Sequence, residues 1–70
     1  ERLKKAYQAY AEALKLDPRS SIAWARYAGC QLKLGRPRDA LRSYEMALRL
    51  DENLEEAAVG ARQARSLAKG

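Results

Sequence analysis

Cys30 is the one thiol in the chain, and no histidine stands anywhere to take its proton or to share a metal ion with it. A cysteine nucleophile needs a neighbouring base or cation to hold the thiolate, and a structural zinc site draws on several Cys and His together. Cys30 alone meets neither need and reads as a small buried side chain. Glu55 and Glu56 are paired carboxylates in composition only. Neighbouring residues on a helix diverge by about 100°, so this pair serves a helix start rather than acid–base work. Tyr7, Tyr10, Tyr27, Tyr44 and Trp24 are the aromatic residues, able in principle to stack on nucleobases. Their helical spacing makes them core candidates first. Met46 reads as gap filler. With no glycine-rich phosphate loop, nucleophile elbow or metal-ligand set, the chain is expected to be non-enzymatic and to need no cofactor.

The elements that carry these residues must come from a short chain. At 70 residues it is one domain at most, and a chain of that length buries only about 60% of the surface its unfolded form exposes. A composition 47% hydrophobic and 33% charged suits a folded segment rather than a disordered one. No apolar run approaches the ~18 residues of a membrane span, and no signal-peptide core follows the basic start. The chain begins at Glu1 without a methionine and reads as a piece of a longer protein. Cytoplasm is the default compartment. Fourteen Lys and Arg against nine Asp and Glu give a charge of +5, which favours acidic partners.

Leu3, Ala6, Tyr7, Tyr10, Ala13 and Leu14 recur at steps of three and four, one stripe of a first helix that stops at Asp17-Pro18. Ser20 and Ser21 offer N-cap oxygens to a second helix carrying Ala23, Trp24, Tyr27, Ala28 and Leu34, and Gly35 ends it. Pro37 and Asp39 suit the first turn of a third helix, whose buried face is Ala40, Leu41, Tyr44, Met46, Ala47 and Leu48. Asn53 is the expected N-cap of a fourth helix, with Glu56 completing a capping box and Ala57, Ala58, Ala61, Ala64 and Leu67 following. Four helices with short connections make antiparallel neighbours, and nothing reads as a strand.

Two of these helices repeat one phrase. Residues 6–18, AYQAYAEALKLDP, return as ALRSYEMALRLDE at residues 40–52, an offset of 34. Ala6 meets Ala40, Tyr10 meets Tyr44, Ala13 meets Ala47, Leu14 meets Leu48, Leu16 meets Leu50 and Asp17 meets Asp51. A period of that length built from helix pairs is the pattern of a stacked helical solenoid. Small residues let helices approach, and large ones fill the space between them.

The stretch from Ser21 to Leu54 resembles the tetratricopeptide repeat family. Trp24 falls on that family's large aromatic, Ala28 on its small residue, Gly35 on its turn glycine, and Ala40, Tyr44 and Ala47 on its second-helix core. Leu48, Leu50 and Asp51 match its closing run. The resemblance implies an all-α fold of antiparallel helix-turn-helix repeats, a short piece of a right-handed superhelical solenoid. Residues 1–18 correspond to the second helix of a preceding repeat, residues 21–54 to one complete repeat and residues 55–70 to a C-terminal capping helix. The core set is then Tyr10, Ala13, Leu14, Trp24, Tyr27, Ala28, Ala40, Tyr44, Ala47 and Leu48. Two positions depart from the family. Gln31 replaces an aromatic, which implies a looser core, and Glu52 replaces a proline, which would let the third helix run on or fray.

The resemblance also implies a function: a binding or scaffolding module whose concave face holds a peptide or helix of a partner protein. Carried over by position, the groove residues are Ile22, Ala25, Gly29, Leu32 and Lys33, with Val59 and Gln63 from the last helix. Members that grip chaperone tails use a clamp of Lys, Asn and Arg around two carboxylates. Ala25 and Gly29 stand at two of those places, so that clamp is not expected; a small, apolar groove suits an apolar peptide or partner helix. Nucleic acid is the rival partner, through Arg36, Arg38, Arg42 and Arg49, although Asp39 and Glu45 interrupt that basic stripe. A third reading is self-association through the first helix, on the expectation that Leu3, Tyr7 and Tyr10 lie uncovered.

Overall fold

The computed structural model describes residues 2–69; residues 1 and 70, which end the two outer segments expected above, lie outside the described residues. Four helices follow one another: α1 (Arg2–Leu16), α2 (Ser21–Lys33), α3 (Pro37–Leu50) and α4 (Glu55–Lys69). Among the described residues there is no strand.

Local chemistry sets each boundary. Ser20 has extended backbone and its Oγ accepts a hydrogen bond from Ala23 N at 3.2 Å, the expected cap of α2. Gly35 takes φ +81°, and the amides of Gly35 and Arg36 return to the carbonyls of Leu32 (3.1 Å) and Gln31 (2.9 Å). Those two bonds close the last turn of α2 in a left-handed cap that only glycine enters without strain. Pro37 opens α3, where its missing N–H costs nothing.

The turns after α1 and α3 repeat the 34-residue offset in their hydrogen bonds. Asp17 Oδ1 accepts from Arg19 N at 3.1 Å, and Asp51 Oδ1 accepts from Asn53 N at 3.1 Å. The repeated aspartate is thus a turn former, a role the sequence reading left unassigned. The expected cap of α4 is displaced by one residue: Asn53 lies in that turn, its backbone amide donating to Asp51 Oδ1, and the residue flanking α4 is Leu54, whose carbonyl accepts from Ala57 N and Ala58 N, both at 3.1 Å. Nor does α3 run on past Glu52: Asp51 is already extended, at φ −147° and ψ 95°.

The core lies between α2, α3 and α4. Ala25, Ala28, Ala40, Tyr44, Ala47, Ala57, Ala61 and Ala64 form one buried cluster, with Trp24, Leu32, Leu41, Leu48 and Leu54 packed around it. Alanine dominates because the helices approach closely, and Tyr44 fills the gap between them. Gly60 belongs to this fit: a Cβ there would fall inside the Tyr44 ring. The buried stripe of α4 is therefore Ala57, Gly60, Ala61 and Ala64, while the expected Ala58 and Leu67 face outward.

At Gln31 the looseness expected from losing an aromatic does not arise. Its Oε1 accepts a hydrogen bond of 2.6 Å from Ser43 Oγ, and both side chains are buried. Trp24, placed in the core by its repeat position, is only partly buried, and its Nε1 donates to Pro18 O at 2.8 Å, tying α2 to the turn before it.

Helix α1 packs on α2 alone. Its Tyr7 stacks on Tyr27 with ring centroids 4.9 Å apart, and Tyr27 Oη donates to Tyr7 Oη at 3.1 Å. Leu3, Tyr7 and Tyr10 are thus half-buried against α2 and are not the uncovered stripe expected for self-association. The side of α1 that lies open carries Ala9, Ala13 and Leu16, the last 88% exposed. Ala13 is a correction to the expected core for the same reason. Its repeat mate Ala47 is buried because α3 packs on both α2 and α4, whereas α1 has a neighbour on one side only.

Candidate functional site

Along α2, Ala25, Gly29 and Lys33 succeed one another at four-residue steps and so share a face. With Arg26 and Cys30 they line a shallow cleft of about 330 Å³, to which α1 contributes Leu3, Ala6 and Tyr10. Tyr44 of α3 and Glu56 of α4 complete the lining. Gly29 leaves bare backbone in the cleft floor, and a Cβ built there would make ordinary contact with Tyr44 Oη at 3.5 Å. A partner backbone can approach α2 at that point as it could not over a larger side chain.

The charged groups of the cleft are of both signs. Arg26 and Lys33 are exposed cations and Glu56 an exposed carboxylate. The Tyr44 phenol is pushed above its ordinary pKa by burial first, then by the negative charge of Glu56 and by Cys30. It therefore remains protonated, a hydrogen-bond donor, at physiological pH. Cys30 is a buried free thiol beside it.

Of the groove residues expected from the sequence, Ala25, Gly29 and Lys33 line this cleft, Ala25 as part of its floor with no exposed surface of its own. Leu32 turns away and packs on the core cluster. Ile22 and Val59 are exposed, at 53% and 52%, and neither they nor the exposed Gln63 line the cleft. The expected groove is thus divided. Four-residue steps along α2 separate Ala25, Gly29 and Lys33 from Leu32, which faces the core.

The sequence reading missed Arg26, Glu56 and the α1 side of the cleft. It also counted Tyr44 as packing only. The signal available for α1 was its stripe of Leu3, Ala6 and Tyr10, which has to face something; assigning the groove to first helices alone left that stripe without a partner. Arg36, Arg38, Arg42 and Arg49 are all exposed, but Arg36 and Arg38 line a depression with Leu67 and Ala68, whereas Arg49 lies beside Glu45 and Leu48. Among the described residues the one ion pair is Lys15 with Glu12, at 3.9 Å, so none of these arginines is neutralised by a close carboxylate.

No described helix is long and apolar enough to cross a membrane. Comparison with curated proteins gives no match. A family model described as tetratricopeptide repeat matches residues 1–66, reaching well beyond the Ser21–Leu54 stretch that carries the sequence resemblance. Helix pairs closed by equivalent aspartate turns, the Gly35 cap and the close-packed alanine core agree with that match over nearly the whole chain. The chain belongs to the tetratricopeptide repeat family.

Proposed function

We propose that this chain is a non-enzymatic protein-interaction module that holds a peptide or helix of a partner protein in the cleft between α1 and α2. Domains of this family generally mediate protein–protein interaction; the particular surface is our reading. The observation that carries it is the bare backbone of Gly29, set in a cleft with cations at Arg26 and Lys33 and the Tyr44 hydroxyl beneath. We assign residues 21–54 to one complete repeat, with α1 as the second helix of a preceding repeat and α4 as a closing helix. The compartment we propose is the cytoplasm, on the free thiol of Cys30. Any self-association we assign to the open side of α1, at Ala9, Ala13 and Leu16, rather than to Tyr7.

The test is affinity capture of partners by the chain and by its Gly29→Arg variant, with helicity measured for both. Leu32 is left unchanged because it packs on the core and a charge there would unfold the protein. Partners lost from the variant while helicity is kept identify the cleft as the binding surface. Retention of every partner by a folded Gly29→Arg protein refutes the assignment and leaves the segment as a spacer or array end.

A further inference from the structure

Half of the fourteen Lys and Arg gather at one end of the helix bundle. Arg2, Lys4 and Lys5 open α1, Lys33 closes α2, Arg36 and Arg38 flank Pro37 at the start of α3, and Lys69 closes α4. Because neighbouring helices run antiparallel, these termini meet. Arg36 and Arg38 share a depression with Leu67 and Ala68 of α4, and Arg36 shares a second with Lys4 of α1. All of these cations are exposed, and among the described residues Asp39 is the one carboxylate at that end. The opposite end is acidic, with Asp17, Asp51 and Glu52 in its turns and Glu55 and Glu56 opening α4, and it also holds the Lys15–Glu12 ion pair. Folding does not ask for this segregation. Cations at a helix start stand at the positive end of its dipole, where acids would stabilise it, yet α1 has no acid in its first turn.

We infer that the basic end is a contact surface for the phosphate backbone of a double-stranded nucleic acid, bound without regard to base sequence. The helices, about 22 Å long at 1.5 Å per residue, cannot stand across the 14 Å thickness of the molecule, so its end is a strip roughly 30 Å long. One strand of a duplex sets a phosphate every ~3.4 Å along its axis, so that strip spans about nine base pairs. Cations spread over such a length suit a regularly charged polymer better than a single carboxylate. A lipid surface presents the same phosphates, but proteins that lie on it add apolar side chains to the headgroup boundary. Here Leu67 is the one large apolar residue exposed at the basic end; Leu16, Ile22, Leu50 and Val59 lie towards the other. Single strands are gripped by stacking bases on aromatic rings, and the aromatic residue nearest this end, Tyr7, is already stacked on Tyr27. The acidic end repels a phosphate backbone, so the duplex is steered to one end of the molecule only. This surface is distinct from the cleft between α1 and α2 except at Lys33, which belongs to both.

The experiment is an anisotropy titration of a labelled duplex of about 20 base pairs with the whole chain at several salt concentrations. Neutralising about four phosphates should weaken binding about 100-fold between about 50 and 200 mM salt. Two triple variants remove the same number of charges from opposite ends: Lys4→Gln/Arg36→Gln/Arg38→Gln, and Lys15→Gln/Arg19→Gln/Arg49→Gln. All six side chains are exposed, so both variants should keep the parent's helicity. The first should lose at least about 10-fold in affinity at low salt and most of the salt dependence, whereas the second should stay within about threefold of the parent.

Equal losses in the two variants would trace binding to net charge alone and overturn the inference, as would failure of the parent to bind the duplex at low salt. Displacement of the duplex by phosphatidylserine vesicles or by a polyglutamate peptide at equal charge concentration also overturns it, by naming a lipid surface or an acidic protein segment as the better partner. Neither variant alters Gly29, so the capture of partners by the parent and by Gly29→Arg tests the cleft independently of this outcome.

Discussion

Two hydrogen-bonded pairs show how single residues replace features that the repeat pattern alone would not anticipate. Gln31 and Ser43 put a satisfied polar bridge where an aromatic is usual, and the bridge holds α2 to α3 at a fixed register. The pair of Tyr27 and Tyr7 joins α1 to α2 and has a pH signature. The Tyr27 phenol is pushed up from 10.0 to about 12, first by its hydrogen bond to Tyr7, then by burial and nearby charge. The native state therefore holds this proton more tightly than the unfolded chain does. Stability supplied by the pair is complete below the unfolded value near 10 and is lost as pH rises through about 12. An absorbance titration should show a tyrosine step near 12, and Tyr7→Phe should bring that step back towards 10.0. A late step unmoved by Tyr7→Phe would place its cause elsewhere than in the pair.

Helix termini and helix faces were legible in the sequence to different degrees, and the difference has a physical basis. Ser20, Gly35 and Pro37 act through their own backbone or a neighbouring amide, so their types alone located the ends of α2 and the start of α3. Asn53 does not cap α4 because the turn formed by Asp51 places it one residue too early, with Leu54 next to the helix, a register that residue preference does not decide. The face of α4 was misread at Ala58 and at Gly60 because a glycine inside a helix gives no hydrophobic signal. Only the tertiary fit shows that Tyr44 occupies the missing side chain's place. In the cleft, Ala25, Gly29 and Lys33 stand where repeat position put them; the α1 wall and Tyr44 hydroxyl were not anticipated, since periodicity marks burial without saying which atom faces out. Helix packing accordingly makes a specific prediction. Gly60→Ala gains helix propensity of about 1 kcal/mol, yet its methyl must displace the Tyr44 ring, and overpacking of that kind costs about 1–3 kcal/mol. Urea unfolding should find the variant less stable than the parent; equal or greater stability would mean the ring has room to move.

At the scale of the molecule, the helices make a slab of 32 × 30 × 14 Å, too thin to enclose a cavity, so binding has to use surface clefts and the spaces between neighbouring helices. Cohesion across the slab is uneven. Helices α2, α3 and α4 share the alanine core around Tyr44, and α2 touches both of the others. Helix α1 joins only through α2, chiefly by the Tyr7–Tyr27 stack and the buried Leu14. In a solenoid, each helix draws its stability from its immediate neighbours, so α1 should open without the rest. Native-state hydrogen exchange should then find the α1 amides exchanging through a sub-global opening, and those of α3 only through global unfolding. Tyr7→Ala should lower protection in α1 and leave α3 unchanged. Protection that falls equally in both helices would show one cooperative unit instead. The consequence for binding is direct, because one side of the proposed cleft is α1: a ligand bridging Tyr10 and α2 would have to raise protection in α1 by holding that helix closed.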